Sequence, residues 1–520
     1  MTAPEVGHLK SRHTLLLFAV SLATVALLFV WQGHQDFNLW DEGFFWYGAK
    51  RVLAGDVPIR DFLAYDPARY YWAAALMRLI DSNGIVALRA ATAVCQVLAL
   101  FLALCTVMRH GKVATREKLV FVVASAITLV MWMYVYCKVY DVAASIVLIA
   151  AFAFVIERSS QARYFWLGVC VGLMASIGRN HGVYGLVGCA GLVVLNGLGT
   201  RVGFFQWFKP VPTFVAGVVL GFAPILLMML LVDGFASAFM DSVYFLFEMK
   251  ATNLPLPVPW PWSPELLSMP LQFAVHGFLV GFVFIGVVLL PLVSLPWLAW
   301  QRYKGRGMNP AFAAAALLSL PYAHYVFSRA DVPHLSFGVF PLLVASLVAL
   351  QGLQPKLKWT LLAGLVAGSI ALMFPLQPAG KCLLVHKCVT LQVAGDTLNV
   401  PEQKAKEVEW LKKLAAEHLS QDGNILVTPS WPGAYALLNK RAPVLDIYAL
   451  LKRSTAFQEQ EIVRIAAAKP ELVVIVNEPL DGGDAHSLEN TNPLIYQYVL
   501  THFVGIPSGN FEAAKAYTPK

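Results

Sequence analysis

Apolar residues run along this chain in long unbroken blocks separated by short polar turns, a pattern distinct from the alternation of a half-buried strand. Eight blocks are about 18 residues or longer, enough to cross a hydrocarbon layer of roughly 30 Å as helices. They cover residues 14–32, 86–108, 119–136, 211–232, 271–290, 310–327, 335–353 and 360–376. Three shorter blocks, 142–156, 164–177 and 183–198, bring the expected number of crossings to eleven. The pattern predicts a polytopic α-helical membrane protein.

The blocks end where basic residues collect, and that bias sets an expected orientation. Lys10 and Arg12 precede the first block. Alternate turns then carry Arg109, Lys112, Arg116 and Lys118; Arg158 and Arg163; Arg201 and Lys209; Arg302, Lys304 and Arg306; and Lys356 and Lys358. These regions hold fifteen Lys or Arg against three acids, Glu5, Glu117 and Glu157. The N-terminus is therefore expected in the cytoplasm, and everything beyond the eleventh crossing outside. The first block is too long for the apolar core of a secretory signal, and no small-residue cleavage site follows it, so it reads as a retained anchor.

Two regions break the pattern. Residues 33–85 carry helical spacing of Phe45, Trp46, Ala49 and Val52, stopped by Gly55-Asp56, then an aromatic stretch at 67–80 closed by Ser82-Asn83-Gly84. Such aromatic helices are expected to lie at the membrane interface. From 377 to 520 the composition turns polar, with an amphipathic helix at 401–419 and buried strands at 425–428 and 471–476. The expected division is a membrane domain over 1–376, including external helices at 33–85, and an extracytoplasmic α/β domain over 377–520. The prolines of Leu254-Pro255-Leu256-Pro257-Val258-Pro259-Trp260-Pro261-Trp262 exclude helix and central strand, so 233–270 is expected to hold an extended loop.

Composition adds little to this and removes one alternative. The 520 residues are 58% hydrophobic and 13% charged, with mean hydropathy +0.62. The net charge of +8 sits in short turns rather than one patch, which argues against a nucleic-acid partner. Five cysteines lie in or beside apolar blocks as packing residues, whereas Cys382 and Cys388 flank a short external loop where a local disulfide and two free thiols are both open. Asp446, Asp481, Asp484 and His486 read as surface or turn residues.

Candidate chemistry lies where blocks meet water on the external side. Asp41 and Glu42 open the helix after the first crossing. Neighbours on a helix point about 100° apart, so one carboxylate can act as a base while the other orients it; a plain helix-start role is the alternative. Arg329, Asp331 and His334 form a second group, suited to a phosphate held by charge-assisted bonds or to a simple loop ion pair. Arg179 and His181, with Lys138 and Asp141, form a third, since broken apolar segments line cavities or pack inside protein. With Arg69, these cations predict an anion site beside the acidic pair.

The run Asp41-Glu42-Gly43-Phe44-Phe45-Trp46-Tyr47-Gly48-Ala49, followed by Gly55-Asp56, Tyr65-Asp66-Pro67-Ala68-Arg69-Tyr70-Tyr71-Trp72 and Ala87-Leu88-Arg89, resembles the GT-C superfamily of membrane glycosyltransferases. The similarity is to the branch of aminoarabinose transferases and protein O-mannosyltransferases, and it covers most of the membrane part. Where that branch typically has Lys-Pro-Pro before Tyr-Trp, this chain has Pro67-Ala68-Arg69.

The resemblance implies an inverting transfer of a sugar from a polyprenyl-phosphate donor, with Asp41 as base and Glu42 as its support. The acceptor would be a hydroxyl of an envelope glycan, glycolipid or protein. No cofactor is expected, and transfer is expected to be metal-independent, since there is no convincing Asp-x-Asp motif. A lipid or polysaccharide transporter, or flippase, is the alternative; it would not need the acidic pair. A noncatalytic membrane scaffold is a third.

Overall fold

The computed structural model describes residues 11–109, 113–134, 136–199, 203–249, 253–384, 387–476, 478, 480–481, 483–507, 511 and 513–520. Lys10, Lys112, Arg201 and Glu5, used above for orientation, lie outside the described residues. The chain divides into two compact units. One comprises 1–30, 92–231 and 251–377; the other comprises 31–91, 232–250 and 378–520. This differs from the expected division, because the segment between the first two apolar blocks and the stretch 232–250 cluster with the C-terminal residues.

The first unit is a helical bundle. Among the described residues seven helices of the chain are long and apolar enough to cross a membrane: Ser11–Gln32, Ile85–Arg109, Tyr136–Glu157, Phe204–Leu231, Leu271–Tyr303, Pro310–Ser328 and Pro355–Leu376. A bent pair, Val332–Gly338 and Phe340–Leu350, meeting at 57°, makes an eighth if taken as one broken span. Every predicted block is helical, yet the count does not reach eleven by this measure. Lys118–Trp132 has 15 residues and Gln161–Ile177 has 17, roughly 22–26 Å at 1.5 Å per residue, short of a full crossing. Arg179–Gly197 is long enough but opens on Arg179-Asn180-His181 and is rich in glycine.

Close packing in this unit comes from small residues, as it does where lipid gives no hydrophobic drive between helices. Gly168 and Gly172 on Gln161–Ile177 meet Gly217 and Gly221 on Val211–Leu231. A Cβ at Gly168 would fall 2.1 Å from the Phe214 carbonyl, and one at Gly221 2.2 Å from the Val169 carbonyl. Pro310–Ser328 buries Ala311 and Ala313 to Ala316 completely. At one end of the bundle Glu157 pairs with Arg109 and Arg163, each at 3.0 Å. Asp141, in the first turn of Val139–Glu157, lies at the opposite end of the same helix.

The second unit is α/β. Strands β1 (Cys388–Val393) and β2 (Asp396–Pro401) form an antiparallel hairpin, and Cys382 and Cys388 form a disulfide beside it. The main sheet runs in the order β3 (Ile425–Thr428), β4 (Leu472–Val476), β6 (Ala514–Pro519), β5 (Phe503–Ile506), parallel between the first two and antiparallel elsewhere. Every residue of β3 and β4 is buried, as continuous Ile/Leu/Val runs require. Helix Glu402–His418 occupies the predicted amphipathic stretch.

The segment after the first apolar block is built into this unit. Asp36 N–H donates to the Asn399 carbonyl at 2.8 Å and Asn399 N–H to the His34 carbonyl at 2.8 Å, adding a short strand-like clip to β2. Helices Asp41–Leu53 and Ala68–Ile80 match the two expected between residues 33 and 85. In the first, Glu42 to Ala49 are all buried, so that helix presents no broad apolar face at the surface. The second does show one, with Tyr71, Trp72, Leu79 and Ile80 exposed.

Candidate functional site

The predicted site residues fall into two groups. Asp41, Glu42 and Arg69 belong to the α/β unit; Lys138, Arg179, His181, Arg329, Asp331 and His334 belong to the helical bundle.

In the first group the neighbouring acids have opposite fates. Glu42 is 6% exposed and Arg89, 1% exposed, grips it from Ile85–Arg109. Arg89 Nε donates to Oε1 at 2.7 Å and an Nη2 proton to Oε2 at 2.8 Å, the two-pronged geometry that suits a guanidinium to a carboxylate. The remaining Arg89 protons go to the carbonyls of Gly33, Gln35 and Asp36 at 2.8–2.9 Å. All five guanidinium donors are thus used, as a buried charge demands. Glu42 is an anchor that joins the start of Asp41–Leu53 to the turn before it.

Asp41 is exposed, and its Oδ1 accepts from the Tyr448 hydroxyl at 3.5 Å, a long bond that leaves the carboxylate accessible. Its position is set by backbone packing. Gly43 faces Gly433 at the start of Gly433–Leu437: a Cβ on Gly43 would stand 2.6 Å from the Gly433 Cα, and Gly433 N–H donates to the Leu39 carbonyl at 2.8 Å. Tyr448 packs edge-on against Trp40 and tilted on Phe44, with ring centroids 6.5 and 5.7 Å apart. Phe44 meets Tyr65 at 5.0 Å, and the Arg69 guanidinium lies 4.9 Å over the Tyr65 ring. Aromatic contacts therefore connect Asp41 to Arg69, which is 2% exposed.

Asp446 holds the Tyr448 loop. Its carboxylate accepts from Arg453 Nε at 2.7 Å and from Tyr448 N–H at 3.3 Å. At 8% exposure it corrects the expectation of a surface or turn residue: its buried charge is paired.

In the bundle, Asp331 organises the second group. It caps Val332–Gly338 by accepting from His334 N–H at 2.8 Å, binds the His334 ring at 2.7 Å and takes Arg329 Nε at 2.7 Å. Burial pushes the Asp331 carboxyl up, but the His334 and Arg329 bonds outweigh it and hold its pKa below the ordinary value. The proline-rich stretch is extended, as expected, and packs on this group: Asn253 Nδ2 pairs with His334 Nε2 at 2.8 Å and the Leu254 carbonyl accepts from Arg329 at 3.2 Å. Trp260 stacks on Trp262 and touches Phe327.

His181 has a structural position. It is fully buried, with Nε2 on Asp141 Oδ1 at 3.0 Å and Nδ1 on the Tyr322 hydroxyl at 2.8 Å, so both ring nitrogens are occupied. The alternative raised by the sequence, a partnership with Asp141, is the observed one. Tyr325 brings this group and the Asp331 group together, its ring 6.1 Å from His181 and 6.4 Å from His334. Lys138 precedes the helix bearing Asp141, and Arg179 begins the helix bearing His181.

The roles of several of these residues are not assigned by the sequence. Arg89 had a signal, a lone charge inside an apolar block, as had Tyr322 and Tyr325 in the polar-aromatic run 321–325. Tyr448 had none, standing 407 residues from Asp41. Among the described residues no group of three or more His, Cys, Asp or Glu is placed to hold a metal.

No protein-family model and no curated protein sequence matches this chain. Solved structures do. ArnT from Cupriavidus metallidurans bound to undecaprenyl phosphate matches with TM-score 0.56 and 11% identity, covering 98% of both chains. Its apo form matches with TM-score 0.57 and 12% identity over 97% of both. The oligosaccharyltransferase AglB from Archaeoglobus fulgidus, in complex with an inhibitory peptide and a dolichol-phosphate, matches with TM-score 0.50 and 11% identity over 99% of this chain and 75% of that one. The chain is a polytopic membrane protein, and its fold is the one that the ArnT and AglB structures share.

Proposed function

We propose that the protein is an inverting glycosyltransferase that moves a sugar from a polyprenyl-phosphate donor to a hydroxyl of an envelope glycan, glycolipid or protein. The observation that carries this reading is the division of labour between neighbouring acids: Glu42 is locked to Arg89 while Asp41, one residue earlier, is exposed and weakly held. The fold supports it, since the similar structures hold undecaprenyl phosphate and dolichol-phosphate.

In this reading Asp41 takes the proton of the acceptor hydroxyl as the acceptor oxygen bonds to the anomeric carbon. The bond from that carbon to the phosphate oxygen breaks, and its electron pair leaves on the polyprenyl phosphate. A single base suffices because no covalent glycosyl-enzyme is needed, and the phosphate leaves with little protonation. Arg329, its Nε held by Asp331, which His334 binds in turn, is the proposed holder of a phosphate; Arg69, Lys138 and Arg179 are further proposed cationic contacts. His181 is left out, because both its ring nitrogens are used inside the protein. Positive side chains serve the role a metal ion would otherwise fill, so activity is expected to persist in EDTA. The enzyme would sit in the bacterial plasma membrane with its N-terminus in the cytoplasm and its C-terminal α/β region outside.

The test is direct. Purified protein in lipid, supplied with labelled polyprenyl-phosphate sugar and envelope acceptors, should release polyprenyl phosphate and transfer label. Full activity in Asp41→Asn would refute the assigned base.

A further inference from the structure

Beyond the acidic helix start, the α/β unit contains a cavity of about 260 Å³ at the other end of the same helix. Its walls come from the last turns of Asp41–Leu53 and Gly433–Leu437 and from the turn at Asn83. The polar lining is Tyr47, Lys50, Arg51, Asn83, Asn439 and Lys440.

Helix C-termini present carbonyls, and part of this basic lining answers them. Lys50 Nζ donates to the Ala436 carbonyl at 3.0 Å, and Lys440 Nζ to those of Gln421 at 2.7 Å and Ser420 at 3.4 Å. Arg51 uses Nε on Asp56 at 2.7 Å. These bonds do not exhaust the donors. Among the described residues, two protons of Lys50, one of Lys440 and the four terminal N–H of Arg51 are left unused by these bonds. The Tyr47 hydroxyl accepts from Ala442 N–H at 3.0 Å and keeps its proton to donate. The Asn83 and Asn439 amides make no side-chain hydrogen bond among the described residues and are exposed. Among the described residues Asp56 is the one carboxylate bonded into this group, shared between Arg51 and Arg441. Burial also lowers the pKa of Lys50, and nearby Arg51 adds to this, marking a place where positive charge is crowded.

Surplus cationic donors, two free amides and a volume just under the roughly 300–1,000 Å³ of ordinary ligand pockets select a small anionic ligand with hydroxyls. We propose that this cavity is a binding site for a sugar phosphate group, with Lys50, Arg51 and Lys440 on the phosphate and Asn83, Asn439 and Tyr47 on the ring hydroxyls. The argument uses neither Asp41 nor transferase activity, so the site and the transferase reading stand or fall separately.

Binding of glucose 6-phosphate to the intact protein in detergent, followed by thermal shift and calorimetry, tests it, with glucose and inorganic phosphate as parallel probes. Saturable binding of glucose 6-phosphate is expected, about tenfold weaker in Lys50→Gln and in Lys440→Gln, as for loss of one charge-assisted bond. Asn83→Ala, which breaks no side-chain hydrogen bond among the described residues, should weaken it severalfold and serves if a lysine variant fails to fold. Arg329→Gln should leave it unchanged. No saturable binding, binding lost in Arg329→Gln but kept in the lysine variants, or inorganic phosphate binding as tightly as the sugar phosphate would overturn the proposal.

Discussion

Arg89 and Glu42 form a buried two-pronged ion pair, 2.7 and 2.8 Å, that ties the start of an apolar helix to the start of the helix carrying Asp41. The pair is 47 residues apart in sequence. Its function is geometric. With every Arg89 donor engaged, the turn from Gly33 to Glu42 has one arrangement, and Asp41 is presented from it.

Removing one member should therefore unfold more than it disarms. Glu42→Gln or Arg89→Met should each cost about 3–5 kcal/mol, because the partner charge is left buried and unpaired. Thermal unfolding in detergent should show this, and a paired apolar replacement of both residues should recover much of the loss. A single variant with unchanged melting would contradict the anchoring role.

Asp41→Asn should behave in the opposite way. Its one described side-chain bond is the long one from Tyr448, so melting should shift little. Transfer of labelled sugar should fall roughly 10²–10⁴-fold, the range general-base catalysis supplies.

Gly43→Ala places a methyl 2.6 Å from the Gly433 Cα, where backbone rather than a movable side chain must yield. The expected cost is about 1–3 kcal/mol, with partial loss of activity as Asp41 is displaced. Melting and turnover measured on the same preparation would check both.

Asp331 gives a pH signature. Its folded pKa is depressed below 3.8, so its contribution is fully present above that value and is lost as pH falls through the lower folded value. Wild type should melt above Asp331→Asn at neutral pH, and the gap should narrow only below about pH 4. A gap that stays constant across that window would show that the carboxylate's charge is not what stabilises the loop.

How much of this could be read from the chain differs by element. The long apolar blocks gave helices because only a helix satisfies every backbone group of a single segment in lipid. The two helices between residues 33 and 85 were visible in their spacing and their closing Gly55 and Asn83-Gly84. Strands β3 and β4 followed from short buried runs. The weak alternation of β1 and β2 does not mark a hairpin, and spacing alone cannot say whether the thiols of Cys382 and Cys388 meet. The glycine pairs between Gln161–Ile177 and Val211–Leu231 were present in the sequence, but glycine spacing acquires meaning only once the facing helix is known.

The sequence by itself determined that this is a membrane protein of many helices ending in an α/β region, and that Asp41 and Glu42 open a helix after the first apolar block. Local periodicity and the cost of exposing apolar or peptide groups to the wrong solvent decide such things. Only the tertiary structure decided which acid is an anchor and which is exposed, that His181 is spent on Asp141 and Tyr322, and that Tyr448 arrives beside Asp41 from 407 residues away. Those are properties of charge pairing at a distance, and a buried group's role is set by whichever partner the fold brings within about 3 Å of it.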